Sequence, residues 1–352
     1  MIGSNNPSGP PGKSVENQLP GKGAGRPTLA IVNALALADI VSMADAIELM
    51  SVTMQEISRG RVTAPERGGM AIAPKGKLIL MPGAIADINR FGTKVLSLFS
   101  DAASNGLPGH QGLMLLFDSE NGRPLCAVDS HAVTGLRTAA ASAVATRILS
   151  NTDSHSLALI GCGALAQWHA EAISLVRPIE EVIVWGRSIE KARQFADRCA
   201  VHLAAKLVVA HSAQEAVERA DIVCTLTSSP FPVLKGKWLR AGQHLNLVGS
   251  STRATREVDD DAVARGRFIV DSRSHAVSQA GELRHAIESG SIGEQHLAAE
   301  IGEVLAGHAV GRSDQSTITI YKSLGHVAQD IRVADAAFSR LSESSHVVYV
   351  DW

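Results

Sequence analysis

The stretch SLALIGCGALAQWHAEAI, residues 156 to 173, sets an apolar run against a glycine turn and then a helical pattern. Gly161, Gly163 and Ala166 stand at G-x-G-x-x-A spacing. Between a strand and a helix, the first glycine permits the tight turn. The second admits a pyrophosphate to the backbone, and the small third residue lets helix and strand pack closely. Ala164 and Leu165 open the helix whose N-terminal N–H groups would face the phosphate. A plain structural turn is the competing reading. The next strand-like run, EVIVWG, follows at the distance a dinucleotide fold needs and favours the cofactor.

The end of that second strand bears on which cofactor is held. NAD enzymes commonly carry Asp or Glu there, to accept from the ribose 2′-hydroxyl. This chain has Trp185-Gly186-Arg187-Ser188, and Glu180 and Glu181 lie at the other end of the strand. Arg187 and Ser188 suit a 2′-phosphate by charge and hydrogen bonding. NADP(H) is therefore expected in preference, with NAD(H) left open; a solvated surface Arg187 is the bland alternative. Ligands of such sheets sit at the carboxyl ends of the strands. Thr227 and Ser228, at the end of DIVCTLT, and Ser250 are expected near the nicotinamide.

These residues need elements to position them. From residue 150 to about 312, apolar strand-like runs alternate with amphipathic helical ones, the texture of a parallel doubly wound sheet. Residues 30 to 130 read differently. TLAIVNA looks like a short strand, and one helix is expected from Ala38 to Gly60, with Ile40, Met43, Ile47, Met50, Met54 and Ile57 at spacings of three and four. Antiparallel strands follow: GKLILMPGAI, FGTKVLSLFS, and the pair GLMLLFD and PLCAVD, joined by a hairpin turn at SENG. AVTGLRTAAASAVATRILS is a small-residue helix. Residues 1 to 27 have too few apolar groups to offset ordering entropy and read as a disordered tail.

Composition bounds the function. The 352 residues are 45% hydrophobic and 19% charged, with a net charge of -2. That describes a globular protein with ample core and argues against a nucleic-acid partner. No apolar run nears the roughly 20 residues of a membrane helix, and the start lacks a signal-peptide layout, so a cytoplasmic location is expected. Cys126, Cys162, Cys199 and Cys224 show no C-x-x-C spacing, and no H-E-x-x-H occurs, so no metal site is expected.

VTGLRTAAASAVATRIL followed by ALIGCGALAQ resembles the ornithine cyclodeaminase/mu-crystallin family. PER at 65 to 67, LMPGAI at 80 to 85, GTKVLSLF at 92 to 99, HQGLMLLFDSENGRPLCAVD at 110 to 129, HLNLVGS at 244 to 250 and YKSLGHVAQD at 321 to 330 agree, in the same order. The resemblance covers nearly everything from residue 30 onward. It implies a homodimer and an α/β fold: a Rossmann-like doubly wound parallel sheet domain, and an α+β substrate and dimerisation domain built from both chain ends. The boundaries expected are 28–148 with 313–352 for the substrate domain and 149–312 for the NADP(H) domain. Cofactor contacts are also expected from Thr138, Val248 and Gly249.

By motif match, the resemblance implies a substrate carboxylate surrounded by Arg67, Lys94 and Arg137, with Lys94 also catalytic. An anionic substrate requires cations, and the Arg fork fits a carboxylate bidentately. Lys94 falls in a mostly apolar strand, where an unpaired ammonium is costly unless an anion meets it. His110 is a candidate proton relay or a structural hydrogen-bonding residue. The cyclodeaminases carry an Asp in the turn after the strand that here reads HLNLVG. This chain has Ser251 there, expected to contact the substrate, and a serine cannot act as a carboxylate base near neutral pH. The departure resembles the mu-crystallin branch and implies NADPH-dependent reduction of a cyclic ketimine carboxylate, Δ1-pyrroline-2-carboxylate or Δ1-piperideine-2-carboxylate, to proline or pipecolate. The rivals are an ornithine or lysine cyclodeaminase with bound NAD, an amino-acid dehydrogenase, and a non-catalytic crystallin-like NADPH-binding protein.

Overall fold

The computed structural model describes residues 28–73, 76–99 and 106–351. The tail expected over 1–27 lies outside them. The chain begins with β1 (Thr28–Val32), α1 (Ala34–Ile40) and α2 (Met43–Ser58). The single helix expected from Ala38 is thus two. Ser42 breaks it: its hydroxyl accepts from the Asp45 N–H at 3.1 Å, while the Asp45 carboxylate accepts from the Ser42 N–H at 3.3 Å. This reciprocal cap starts a new helix and turns the chain at Val41.

There follow β2 (Val62–Thr63), β3 (Gly68–Ile72), β4 (Gly76–Ile85), β5 (Arg90–Phe99), β6 (His110–Asp118) and β7 (Pro124–Asp129). They form one sheet in the order β7-β6-β5-β4-β2, antiparallel throughout, with β3 also on β4. The SENG turn closes β6 on β7, the Asp118 N–H donating to the Arg123 carbonyl at 3.0 Å. Strand alternation gives the sheet two faces. Met81, Lys94 and Met114 pair across β4, β5 and β6 in one row, and all three are buried. The adjacent row, Leu80, Val95 and Leu113, faces the other way, with Leu80 40% and Leu113 46% exposed.

α3 (Ser130–Leu149) comes next. Asp129 caps its start, accepting from the Ala132 N–H at 2.8 Å. At its far end the Arg177 guanidinium donates to the carbonyls of Thr146, Arg147 and Ser150, covering the acceptors of the helix terminus. Its alanines let it sit almost wholly buried between α2 and α4 (Ala164–Ser174), touching β6 on one side and β12 (His244–Leu247) on the other.

The second half alternates: β8 (Ser156–Ile160), α4, β9 (Glu181–Trp185), α5 (Ile189–Cys199), β10 (Lys206–Val209), α6 (Ala213–Arg219), β11 (Ile222–Thr225) and β12. After β12 come α7 (Asp260–Arg265), β13 (Arg267–Val270), α8 (Arg273–Gln279), α9 (Gly281–Glu288), β14 (Leu297–Glu300), α10 (Ile301–Leu305) and β15 (Thr319–Lys322). The strands form an all-parallel sheet ordered β10-β9-β8-β11-β12-β15-β13-β14. This is the doubly wound architecture. The chain reverses direction across the sheet between β8 and β11.

The chain closes with α11 (Val327–Ser339) and β16 (Val348–Asp351). α11 packs on α2, α3 and the inward face of β4, β5 and β6, and β16 pairs antiparallel with β1, which lies parallel to β7. One boundary needs correction. Division at residue 312 would send β15 to the first sheet, but it inserts between β12 and β13. Every residue of TIYK is buried, as a strand covered on both faces requires, so the crossing between sheets falls after Lys322.

Candidate functional site

The carboxyl ends of β8, β9 and β11 open into a cleft of about 420 Å³. That size is within the range of small-molecule sites. Gly161 has φ +119°, and a Cβ there would stand 2.7 Å from the Leu226 carbonyl oxygen. Only glycine fits. Gly163 begins α4 with no side-chain cap, and a Cβ on it would meet nothing within 4 Å. The first N–H groups of α4 therefore face an open approach, as a pyrophosphate needs. Ala166 is fully buried beneath, while Ala164 is exposed and Leu165 half-buried.

Arg187 lines the cleft, exposed, and Lys191 joins it one helical turn on. Ser188 lines it too, but its hydroxyl is engaged. It caps α5 by accepting from the Lys191 N–H at 3.2 Å, and it donates to the Glu190 carboxylate at 2.9 Å. Lys191, not foreseen, is the second cation beside Arg187.

Thr227 and Ser228 also line the cleft, with Ser228 exposed. The Thr227 hydroxyl is turned to Glu257, which sequence reasoning missed. Glu257 is fully buried. One oxygen accepts from the Thr227 N–H and hydroxyl, both at 2.7 Å. The other accepts from the Thr225 hydroxyl at 2.7 Å, the Gly249 N–H at 2.7 Å and the Ser250 N–H at 3.3 Å. Burial pushes its carboxyl up against the pull of Lys322 and these donors. Glu257 thereby ties the turn after β11 to the turn after β12. They are so close that a Cβ on Gly249 would lie 2.1 Å from the Thr227 carbonyl oxygen. Lys322 braces the same turn, donating to the Ser250 carbonyl at 2.5 Å and to Glu282 at 3.0 Å. Val248 is buried in this turn, and the Ser250 hydroxyl bonds to Thr255. Ser251 follows, half-buried.

A second cluster lies where the first sheet meets α3 and α11. Asp330, on the buried stripe of α11, is its centre. The Lys94 ammonium donates to one Asp330 oxygen at 2.8 Å and to the Thr134 hydroxyl at 3.4 Å. Arg137 donates through Nε to the same oxygen at 3.2 Å and through Nη1 to Gln329 at 2.9 Å. The other Asp330 oxygen is buried without a partner. The anion that Lys94 requires is therefore within the chain. Burial brings the Lys94 ammonium down to about 8, against the pull of Asp330 and with added repulsion from Arg137 and Arg67. Asp330 resists its own burial: Lys94 and Arg137 bring its carboxyl below the ordinary range.

Arg67 reaches this cluster from the loop between β2 and β3, donating through Nη2 to the carbonyls of Leu324 at 3.1 Å and Gly325 at 3.3 Å. Gly325 has φ +79°, and a Cβ there would stand 2.6 Å from Arg137 Nη1. So Arg67 and Arg137 meet across one glycine. Thr138, next along α3, is buried with no partner for its hydroxyl. His110 starts β6 beside His131; burial, His131 and Lys94 all lower its pKa, which favours the neutral ring. His326 caps α11 through Nδ1 and is held at about 3 by burial and by His275, stacked on it with centroids 4.9 Å apart.

Of the expected substrate residues, the structure brings Arg67, Lys94 and Arg137 together, while Ser251 sits on the separate turn after β12. Asp330 was legible in principle: an aspartate on the same helical stripe as Val327, Ile331 and Ala334 demands a buried cation. Among the described residues, no group of His, Cys, Asp and Glu is placed to hold a metal ion, and no helix is long and apolar enough to cross a membrane.

The family model described as ornithine cyclodeaminase/mu-crystallin matches residues 30–345. The chain is similar to a Δ1-pyrroline-2-carboxylate reductase of Bacillus cereus, 31% identical over 317 residues that span 90% of this chain and 97% of the relative. It is similar to the ketimine reductase mu-crystallin of Rattus norvegicus, 34% identical over 284 residues, 80% of this chain and 87% of the relative. A solved Δ1-pyrroline-2-carboxylate reductase of Thermococcus litoralis, in complex with NADH and L-proline, superposes with a TM-score of 0.86 at 32% identity. It covers 90% of this chain and 98% of its own.

Proposed function

The chain belongs to the ornithine cyclodeaminase/mu-crystallin family, and from that membership we propose that it reduces a cyclic ketimine carboxylate with NADPH, yielding proline from Δ1-pyrroline-2-carboxylate or pipecolate from Δ1-piperideine-2-carboxylate. It is an oxidoreductase acting on C=N bonds with a nicotinamide cofactor. The observation that carries the substrate reading is the charge of the second cluster. The cations Arg67, Lys94 and Arg137 outnumber the carboxyls of Asp330 and the nearby Asp271, which leaves positive charge for an incoming carboxylate.

The open approach at Gly163, the turn at Gly161 and the orphaned Thr138 hydroxyl fit a dinucleotide at the carboxyl ends of β8, β9 and β11. When bound, the nicotinamide supplies the hydride. The rest falls to the chain's own residues. Arg67 and Arg137 anchor the carboxylate. Lys94, mostly protonated at neutral pH, adds positive charge and serves as the proton source for the imine nitrogen, directly or through water. Glu257 holds the turns carrying Thr227, Ser228, Gly249 and Ser250 against the nicotinamide position. Ser251 offers a hydroxyl and no carboxylate base, which favours reduction over cyclodeamination. Arg187 and Lys191 together favour the 2′-phosphate of NADPH.

The first sheet, with β16 and α11, forms the substrate and dimerisation domain in this reading, and the parallel sheet the cofactor domain. The outward row Leu80, Val95 and Leu113, continued by exposed Met70, is the face that a second copy covers. The test follows NADPH absorbance with each ketimine, then with NADH. Oxidation with either ketimine and a preference for NADPH are expected. No turnover of either ketimine overturns the reductase reading, and a clear NADH preference overturns the role of Arg187 and Lys191.

A further inference from the structure

Asp271, the second carboxyl near the cations, follows β13 and is fully buried. One of its oxygens accepts from the Leu324 N–H at 2.8 Å and the Gly325 N–H at 2.7 Å. The carbonyls of the same two residues accept from Arg67, at 3.1 and 3.3 Å. Between them Gly325 takes φ +79° and leaves room for the Arg137 guanidinium. We infer that Asp271 is a positioning residue for the substrate carboxylate clamp: by holding the Leu324-Gly325 turn, it sets the separation and orientation of the Arg67 and Arg137 guanidiniums.

The physical argument has three parts. A left-handed glycine in a loop between a strand and a helix needs an external hold to keep one conformation. A carboxylate accepting two N–H groups is a strong one. Arg67 comes from a loop, and its guanidinium is fixed only where its acceptors are fixed; the two named carbonyls are those acceptors. Arg137 has Asp330 and Gln329 on one side and Gly325 on the other, so a shift of the turn moves its free edge. Asp271 also attracts Arg67, although burial pushes its own carboxyl up against the pull of His275, the Leu324 and Gly325 N–H groups and Arg137.

This inference rests on Arg67 and Arg137 being the carboxylate anchors, so Arg137→Ala is measured beside the Asp271 variants. Asp271→Asn can place its amide oxygen where both N–H groups point, keeping the turn and losing only the charge. Asp271→Ala loses the hold, and Gly325→Ala strains the same turn independently. The readouts are KM and kcat for the cyclic imine, and NADPH affinity by fluorescence. Asp271→Ala and Gly325→Ala are expected to raise KM about tenfold or more, with kcat lowered less and NADPH affinity within about twofold of the parent. Asp271→Asn is expected to stay within about threefold. If Arg137→Ala leaves KM unchanged, the anchor reading falls and the inference with it. If Arg137→Ala raises KM but Asp271→Ala does not, the positioning role alone is refuted. If Asp271→Ala fails to fold, Gly325→Ala decides between the same outcomes. Equal losses of NADPH and imine affinity would assign Asp271 a general structural role instead.

Discussion

Replacing Asp330 by Asn removes the charge that keeps Lys94 protonated, and the size of the effect follows from the geometry. At 2.8 Å and an effective dielectric of about 20, the attraction between the two charges is about 6 kcal/mol. Removing one partner of a buried pair costs about 3–5 kcal/mol in practice. Asn keeps an acceptor for the ammonium, so the lower figures are the safer guide. At 1.36 kcal/mol per unit, the Lys94 pKa falls by roughly two to four units from about 8, to between roughly 4 and 6. In the proposed reaction the ammonium is required, so kcat/KM of the parent enzyme is expected to decline as pH rises through about 8. In Asp330→Asn that decline moves to below about pH 6. At pH 7 the protonated share drops from about nine-tenths to a tenth or less, so activity falls roughly tenfold or more. The assay is the pH profile of kcat/KM, with thermal melting in saturating cofactor to establish that the variant is folded. A folded variant whose alkaline limb stays near pH 8 would refute the reasoning, because the titrating group would then not feel Asp330.

Arg187→Ala and Lys191→Ala are each expected to raise the KM for NADPH by about fivefold or more, with little change for NADH, since each removes one exposed cation from the proposed 2′-phosphate site; equal changes for both cofactors would count against that placement. Glu257→Gln turns an amide N–H toward donors that the carboxylate now satisfies, at a cost of about 1–3 kcal/mol. A lower melting temperature and weaker cofactor binding are expected, both read in one thermal-shift titration. If the proposed dimer forms through the outward sheet face, Leu113→Glu is expected to leave a folded monomer in sedimentation velocity where the parent sediments as a dimer.

The parallel sheet was legible because strand and helix periods differ and alternate cleanly from Ser156 onward. The glycine turn was legible because only a strand before it and a helix after it give that spacing meaning. The break at Ser42 was hidden, since Ile40 and Met43 continue the apolar period across a cap that depends on Asp45. β15 was misassigned because TIYK looks the same in any sheet; what places it is pairing with β12 and β13. In the candidate site, motif matches supplied Arg67, Lys94 and Arg137, but not what holds them. Asp330 lies 236 residues from Lys94 and 193 from Arg137, and no local pattern joins such distant partners. Asp271 acts through backbone N–H groups and Glu257 largely so, and every residue but proline carries one, so these partners leave little mark in the sequence.

α3 carries Thr134, Arg137 and Thr138 on consecutive turns near one end, while Arg177 clasps its other end. In the proposed reaction, the spacing between imine carbon and hydride donor would be set by this buried strut. A bulky residue in place of one of α3's packed alanines would displace Thr134, Arg137 and Thr138 together.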